Sequence, residues 1–283
     1  MSADTVDRVL DTIADLGPEI AAGLLTHRGE TVDEVNPSGE DAIEADVWAD
    51  ERITEALSSI DGVGSIASEE REQPIDTGDG LSVTIDPLDG SSNVPTNNLC
   101  GTIVGVFDGS LPAAGSDIVA AAYVLYGPIT TMVVAVDETV TELALTSEQT
   151  FTLQRDVMLP EPTVYGFGGR DPDWTPAFAG FVEEIRDELK LRYGGAMVGD
   201  VNQVLHHGGM FAYPALRDRP EGKLRLQFEG IPMGYIIESA GGRASNGSGS
   251  MLEVEPDELH QRTPVYLGNA SLIDRLESAL AKE

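Results

Sequence analysis

Between Gly62 and Leu153 the chain is cut into short apolar runs separated by turn residues, and this rhythm constrains the fold more than any other feature. The runs are Gly64–Ala67, Leu81–Ile85, Thr102–Phe107, Ile118–Tyr126, Ile129–Val136, Val140–Leu145 and Thr150–Leu153. Breaks such as Asp76-Thr-Gly-Asp-Gly80, Asp108-Gly-Ser110 and Tyr126-Gly-Pro128 punctuate them, so the stretch predicts successive β-strands. Two helical patterns precede it. Val6, Val9, Leu10, Ile13 and Leu16 recur at helical spacing, and Ile20, Leu24 and Leu25 continue the stripe beyond Pro18, which is placed to kink or split the helix. The second helix is expected from about Asp41 to Ser59, with Ile43, Val47, Ile53 and Leu57 on one face. After Leu159-Pro-Glu-Pro162 the pattern turns to mixed α/β, with helices expected at Trp174–Leu189, Val198–His206, Ile231–Ala240 and Leu272–Leu280, and a loop at Gly241–Ser250. A chain of 283 residues accommodates about two domains. The Pro-flanked segment suggests a boundary between residues 1–158 and 159–283.

Charge narrows the function classes. The chain has 49 acidic and 17 basic residues, a net charge of -32. Such a polyanion is repelled by phosphate backbones and anionic lipid, which argues against nucleic-acid and membrane partners. The acid is dispersed through apolar periodicity rather than gathered in a tail. Lysine is confined to Lys190, Lys223 and Lys282. Dispersed acid with scarce lysine resembles proteins of extreme halophiles, whose concentrated salt shortens the Debye length to about 3 Å or less and mutes self-repulsion. No run of apolar residues is long enough for a transmembrane helix, and the acidic N-terminus lacks a signal-peptide pattern. The single cysteine, Cys100, fits a reducing compartment and reads as a small buried residue. A cytoplasmic location is expected. His27, His206, His207 and His260 show no metal-binding spacing; His206 and His207 read as helix end or surface, His260 as structural.

The chemistry is concentrated in Leu81-Ser-Val-Thr-Ile-Asp86-Pro-Leu-Asp89-Gly90-Ser91-Ser92-Asn93. An alternating strand runs into two carboxylates and then a turn able to present successive N–H groups to an anion. Carboxylates beside a phosphate cradle repel it unless a hard cation lies between them, and Mg²⁺ suits that arrangement. Asp-x-x-Asp alone is weak in so acidic a chain, and so is the isolated pair Glu69-Glu70. The whole string carries the weight.

That string resembles the signature of metal-dependent sugar and inositol phosphatases, which include fructose-1,6-bisphosphatase. Ile66-Ala-Ser68-Glu69-Glu70 is similar to the family's Ser-Glu-Glu strand end, and Asn36-x-x-Gly39 followed by Asp46 to its loop and following helix. The C-terminal third is more specific. Arg192-Tyr-Gly-Gly-Ala-Met-Val-Gly-Asp-Val201, Gly208-Gly-Met-Phe-Ala-Tyr213-Pro214 and Gly222-Lys-Leu-Arg225-Leu-Gln-Phe-Glu229 resemble class I fructose-1,6-bisphosphatases. So do Pro232-Met-x-Tyr235, Glu238-x-Ala-Gly-Gly242 and Leu259-His-Gln-Arg-x-Pro-Val-x-Leu-Gly268. Simple inositol monophosphatases lack this set. The likeness covers nearly the whole chain and is weakest over residues 108–163.

The resemblance implies an α/β fold, a layered α/β/α/β/α sandwich with an N-terminal α+β half and a C-terminal α/β half. It implies that Glu69, Asp86, Asp89, Glu229 and the carbonyl of Leu88 hold two or three Mg²⁺ ions, with Mn²⁺ a possible substitute. Glu70 and Asp46 correspond to the water-activating pair, Glu70 as base and Asp46 orienting it or polarising the water. Glu40 stands where the family often has a catalytic-loop Asp. Gly90, Ser91, Ser92 and Arg225 would bind the scissile phosphate, and Lys223 the sugar. Tyr193 and Tyr213 would bind the distal phosphate, and Arg192 would reach that of a neighbouring subunit in a homotetramer or homodimer. The implied reaction is hydrolysis of the 1-phosphate of fructose 1,6-bisphosphate in gluconeogenesis. Sedoheptulose-1,7-bisphosphatase activity, broad sugar or inositol phosphatase activity, and non-catalytic phosphosugar binding are the alternatives.

Four features depart from the family pattern. Gly168 falls where the family has an Asn contacting the distal phosphate, and Val94-Pro95 replaces an Ile-Asp pair. Gly80-Leu81 replaces the Lys-Tyr pair that regulated members use for AMP, and the segment before Asn36 is short for the AMP-binding helix. AMP is therefore expected not to inhibit by that route; inhibition at low AMP concentration in a phosphate-release titration would overturn this.

Overall fold

The computed structural model describes residues 2–27, 31–35 and 41–282. The Asn36–Gly39 motif and Glu40 lie outside the described residues. Helix α1 (Ser2–Gly23) runs unbroken through Pro18. Strands β1 (Thr31–Val35) and β2 (Asp41–Ile43) pair antiparallel, so α2 starts at Glu44 and spans Glu44–Ser58, three residues later than the sequence pattern suggested. The Asp46 carboxylate accepts the Ile43 N–H at 2.9 Å, which satisfies an otherwise orphaned donor and starts the helix there.

Every predicted run between Gly62 and Leu153 forms a strand. They are β3 (Val63–Ser68), β5 (Leu81–Asp89), β6 (Cys100–Phe107), β7 (Ile118–Tyr126), β8 (Thr130–Val136), β9 (Thr139–Leu145) and β10 (Thr150–Gln154), with a short β4 (Ile75–Asp76). They build one eight-stranded sheet in the order β10-β9-β8-β7-β6-β5-β3-β4. Its pairs are antiparallel except β3 with β5. Both faces are covered, so strands such as β7 read as continuous apolar runs. Ala120, Ala122 and Val124 pack towards α1 and α2, whereas Ala121, Tyr123 and Leu125 pack in the core on the other side.

The remaining chain supplies β11 (Val164–Phe167), α3 (Pro176–Glu188), β12 (Lys190–Leu191), α4 (Met197–His207), β13 (Gly209–Tyr213), β14 (Leu224–Arg225), α5 (Ile231–Ser239), β15 (Arg243–Ser245), β16 (Arg262–Thr263), β17 (Val265–Gly268) and α6 (Ala270–Leu280). Strand β15 lies inside the segment expected to be a loop; it joins an edge of the five-stranded sheet β12-β11-β13-β17-β15. Helices α4 and α5 fill the space between the two sheets, and α3 and α6 cover the outer face of the smaller one. The layers are thus α/β/α/β/α, as expected. No described helix is long and apolar enough to cross a membrane.

The α2 face that carries Ala49, Ile53 and Leu57 is fully buried against β3 and β5. Ile53→Ala is expected to cost about 2–5 kcal/mol, because the rigid sheet cannot collapse into the cavity. Urea denaturation at constant high KCl would measure it.

Candidate active site

Strand β5 would ordinarily send residues three apart to opposite faces. The pairing with β6 breaks that rule. Asp86 lies opposite Ile103 and Asp89 opposite Gly101, so three steps on β5 match two on β6. The extra residue, in Pro87-Leu88, is a β-bulge that lets both carboxylates serve one cavity. The bulge is pinned: the Leu88 N–H donates to Asp86 Oδ1 at 3.0 Å, and Thr102 Oγ1 donates to the Pro87 carbonyl at 2.8 Å. Parallel pairing of β3 with β5 brings Glu69 beside this end, its N–H donating to the Ile85 carbonyl at 3.0 Å. A single π-helical turn, Leu226–Gly230, contributes Glu229 just before α5. Helix α4 abuts from the other side, and its Val198 N–H donates to Asp89 Oδ2 at 2.8 Å.

Asp86, Asp89 and Glu229 are all buried and place one carboxylate oxygen each within 4.8 Å of one another. Burial pushes the Asp86 carboxyl well above the ordinary range, helped by repulsion from Glu69, Asp89 and Glu229. Glu229 is raised for the same first reason, with Glu69 adding and Arg225 opposing. Asp89 is pushed up by burial to about 7, while the N–H groups of Val198 and Met197 pull against the rise. Buried, mutually repelling oxygens of this kind fit a hard divalent cation. Glu69 stands apart from this trio. Its Oε1 is 2.6 Å from Arg225 Nη1, which also lies 3.9 Å from Glu229 Oε2. Arg225, only 3 % exposed, therefore supplies the internal counter-charge of the cluster.

A cavity of about 250 Å³ opens onto these groups. It is lined by Asp46, Glu69, Glu70, Asp86, Leu88, Asp89 and Glu229 at its acidic end. Gly90, Ser91, Ser92, Tyr193, Tyr213, Lys223 and Arg225 also line it. Gly90 adopts a left-handed φ of 74°, and a Cβ there would meet Ala196 Cβ at 2.3 Å, so only glycine fits this turn. The Lys223 ammonium sits 5.9 Å from the centre of the Tyr213 ring. Arg192 is exposed and lies instead on an adjoining cavity with Leu99, Lys190 and Leu191. His260 donates from Nε2 to the Arg71 carbonyl at 2.9 Å and does not line the cavity. His206 reaches Glu142 at 3.2 Å from the last turn of α4. Cys100 is buried, and its thiol is pushed up to about 12.

Asp200 carries a structural role that the sequence motif contained but did not reveal. Its two oxygens accept the N–H groups of Gly194 at 2.6 Å and Gly195 at 3.0 Å, holding the loop that carries Tyr193. Asn93 fastens the same loop to the Gly90 turn by donating to the Gly194 carbonyl at 3.0 Å. A carboxylate five residues beyond a Gly-Gly pair is a detectable signal only once the loop's closure onto α4 is known.

Raised carboxyl pKa values have a definite sign in stability. The folded, cation-free protein retains protons that the unfolded chain releases, so stability falls as pH rises from about 4 through 7. Asp89→Asn removes one such group. Its cation-free melting temperature is expected to gain on the parent's as pH goes from 5 to 7.5, in melts at fixed KCl with chelator. A gap independent of pH would contradict this reading.

Two family models divide the chain: the fructose-1,6-bisphosphatase N-terminal domain matches residues 19–156 and the C-terminal domain residues 158–281. Class 1 fructose-1,6-bisphosphatases of Halobacterium salinarum and Natronomonas pharaonis are each 55% identical over 282 residues. The alignments cover 98% of this chain, with 98% and 99% of the respective relatives. Among solved structures, Leishmania major fructose-1,6-bisphosphatase in its holo form matches with a TM-score of 0.92 at 29% identity, covering 99% of this chain and 95% of that one. A putative sedoheptulose-1,7 bisphosphatase from Toxoplasma gondii matches with a TM-score of 0.89 at 28% identity, covering 98% and 94%. The acidic composition accords with these haloarchaeal relatives, and the two family models, the 55% identity over nearly the whole chain and the shared fold converge: this chain belongs to the class 1 fructose-1,6-bisphosphatases.

Proposed function

We infer that the protein hydrolyses the 1-phosphate of fructose 1,6-bisphosphate, giving fructose 6-phosphate and phosphate. The observation that carries this is a single cavity combining buried carboxylates with Tyr193, Tyr213 and Lys223. The first group suits a reacting phosphoryl with its cations; the second suits a sugar and a second phosphate.

Asp86, Asp89, Glu229, Glu69 and the Leu88 carbonyl would hold two or three Mg²⁺ ions, with Mn²⁺ as a substitute. Bound there, the cations neutralise phosphoryl charge and make water easier to deprotonate. Glu70 accepts a proton from the attacking water and Asp46 orients that pair. The water oxygen bonds to phosphorus as the bond from phosphorus to the C1 oxygen breaks; that oxygen takes a proton from solvent water and leaves as the sugar hydroxyl, and Glu70 returns its proton to solvent. Gly90, Ser91 and Ser92 hold the phosphoryl oxygens, and Arg225 stabilises their charge. Lys223 binds the sugar, and Tyr193 and Tyr213 the distal phosphate. Exposed Arg192 serves the distal phosphate of a neighbouring copy in a homodimer or homotetramer. Gluconeogenesis in the cytoplasm is the matching role. We also take 1–158 and 159–283 as the two domains, a division supported by where the two family matches meet.

The likeness to a putative sedoheptulose-1,7 bisphosphatase supports a longer sugar as a second reading, and Gly168 marks a departure from the family pattern. A Cβ at Gly168 would lie 2.4 Å from the Tyr213 ring, so this ring occupies the space of a larger side chain at 168. Phosphate release in high KCl with Mg²⁺ tests both readings, comparing fructose 1,6-bisphosphate, sedoheptulose 1,7-bisphosphate, inositol 1-phosphate and fructose 1-phosphate. Preference for the first substrate is expected, with a loss of about 10²–10⁴-fold in Glu70→Gln. Equal turnover of the monophosphates would mean the distal end does not select.

A further inference from the structure

Glu70 lies in a tight turn after β3, where the Arg71 N–H donates to the Ser68 carbonyl at 3.1 Å and the Glu70 N–H to Ser68 Oγ at 3.2 Å. The next residue provides an anchor. Arg71 Nη2 lies 2.6 Å from Asp50 Oδ2, and Asp50 is buried on α2 one helical turn beyond Asp46. From the other side the His260 ring donates to the Arg71 carbonyl at 2.9 Å and packs on Phe228, ring centres 5.1 Å apart. Phe228 immediately precedes Glu229. One chain of contacts therefore ties together the helix that bears Asp46, the turn that bears Glu69 and Glu70, and the π-helical turn that bears Glu229.

We propose that Asp50 and Arg71, supported by His260, form a brace that positions Glu70 for the reaction. Asp50, Arg71 and His260 do not line the cavity, so they are positioning residues. The brace suits concentrated salt. At 2.6 Å the partners are in direct contact, and the Asp50 side chain is only 6% exposed although Arg71 is 37% exposed, so salt weakens this pair less than a fully exposed one. The proposal rests on Glu70 being the base, and the test separates the two ideas.

Arg71→Gln, Asp50→Asn, their double variant and Arg71→Lys are assayed beside Glu70→Gln in high KCl with Mg²⁺ and fructose 1,6-bisphosphate. Arg71→Gln and Asp50→Asn are each expected to lower kcat about ten- to hundredfold with KM within about twofold, because a slight misplacement of the base affects the chemical step and not the distal end. The double variant should be no worse than the more impaired single variant, and Arg71→Lys should recover most of the loss. Melting curves in the same salt show which variants fold; should Arg71→Gln not fold, Asp50→Asn, nearly isosteric, carries the same readouts. Unchanged kcat in the folded variants, multiplying losses in the double variant, or equal losses for Arg71→Lys and Arg71→Gln would overturn the brace. Full activity in Glu70→Gln would overturn the assignment of the base instead.

Discussion

The architecture answers one electrostatic difficulty: Asp86, Asp89, Glu229 and Glu69 are gathered, buried, at the end of a sheet where each repels the others. Removing a carboxylate from water is costly unless hydrogen bonds or opposite charge replace the solvent. The protein supplies some of each. Arg225 pairs with Glu69, its own backbone N–H donates to Glu229 at 2.6 Å, and the first turn of α4 donates to Asp89. Burial, and the repulsion these do not neutralise, raise the carboxyl pKa values, an electrostatic tension that a bound cation would relieve.

The layers exist to hold that cluster rigid. The carboxylates come from the turn after β3, from β5 and from the π-helical turn before α5, and the bulge at Pro87-Leu88 directs Asp86 and Asp89 into one space. Helix α4 closes the site from the second sheet. The same helix carries Asp200, which holds the loop bearing Tyr193, so the buried carboxylates and that loop share one support. The brace from Asp50 through Arg71 to His260 extends this logic to the residue proposed to take the proton.

Much of the site was legible in the chain because its residues are local. Glu69-Glu70, Asp86 to Ser92 and Lys223 to Glu229 are short strings in which residue type and order carry the chemistry, and all of them line one cavity. The strands were equally legible, since turn residues bound each apolar run. Pro18 did not split α1, because a helix buried along its apolar face tolerates a missing hydrogen bond that an isolated helix would not. Asp41–Ile43 misled because its helical spacing competes with strand pairing to β1, a contact that no local pattern reports.

The sequence by itself determined the main helices, the strands between Gly62 and Leu153, the family, and the short strings that line the cavity. Each of these follows from local periodicity or from short contiguous motifs. Tertiary structure alone decided which side of β5 Asp86 and Asp89 occupy, because a bulge exists only relative to the partner strand. It also decided that Arg225 neutralises Glu69, that Asp200 holds the Gly194–Gly195 loop, and that Arg71 meets Asp50 and His260. These are pairings of charges and donors across long stretches of chain, and their energies depend on distance and burial, which residue order does not contain.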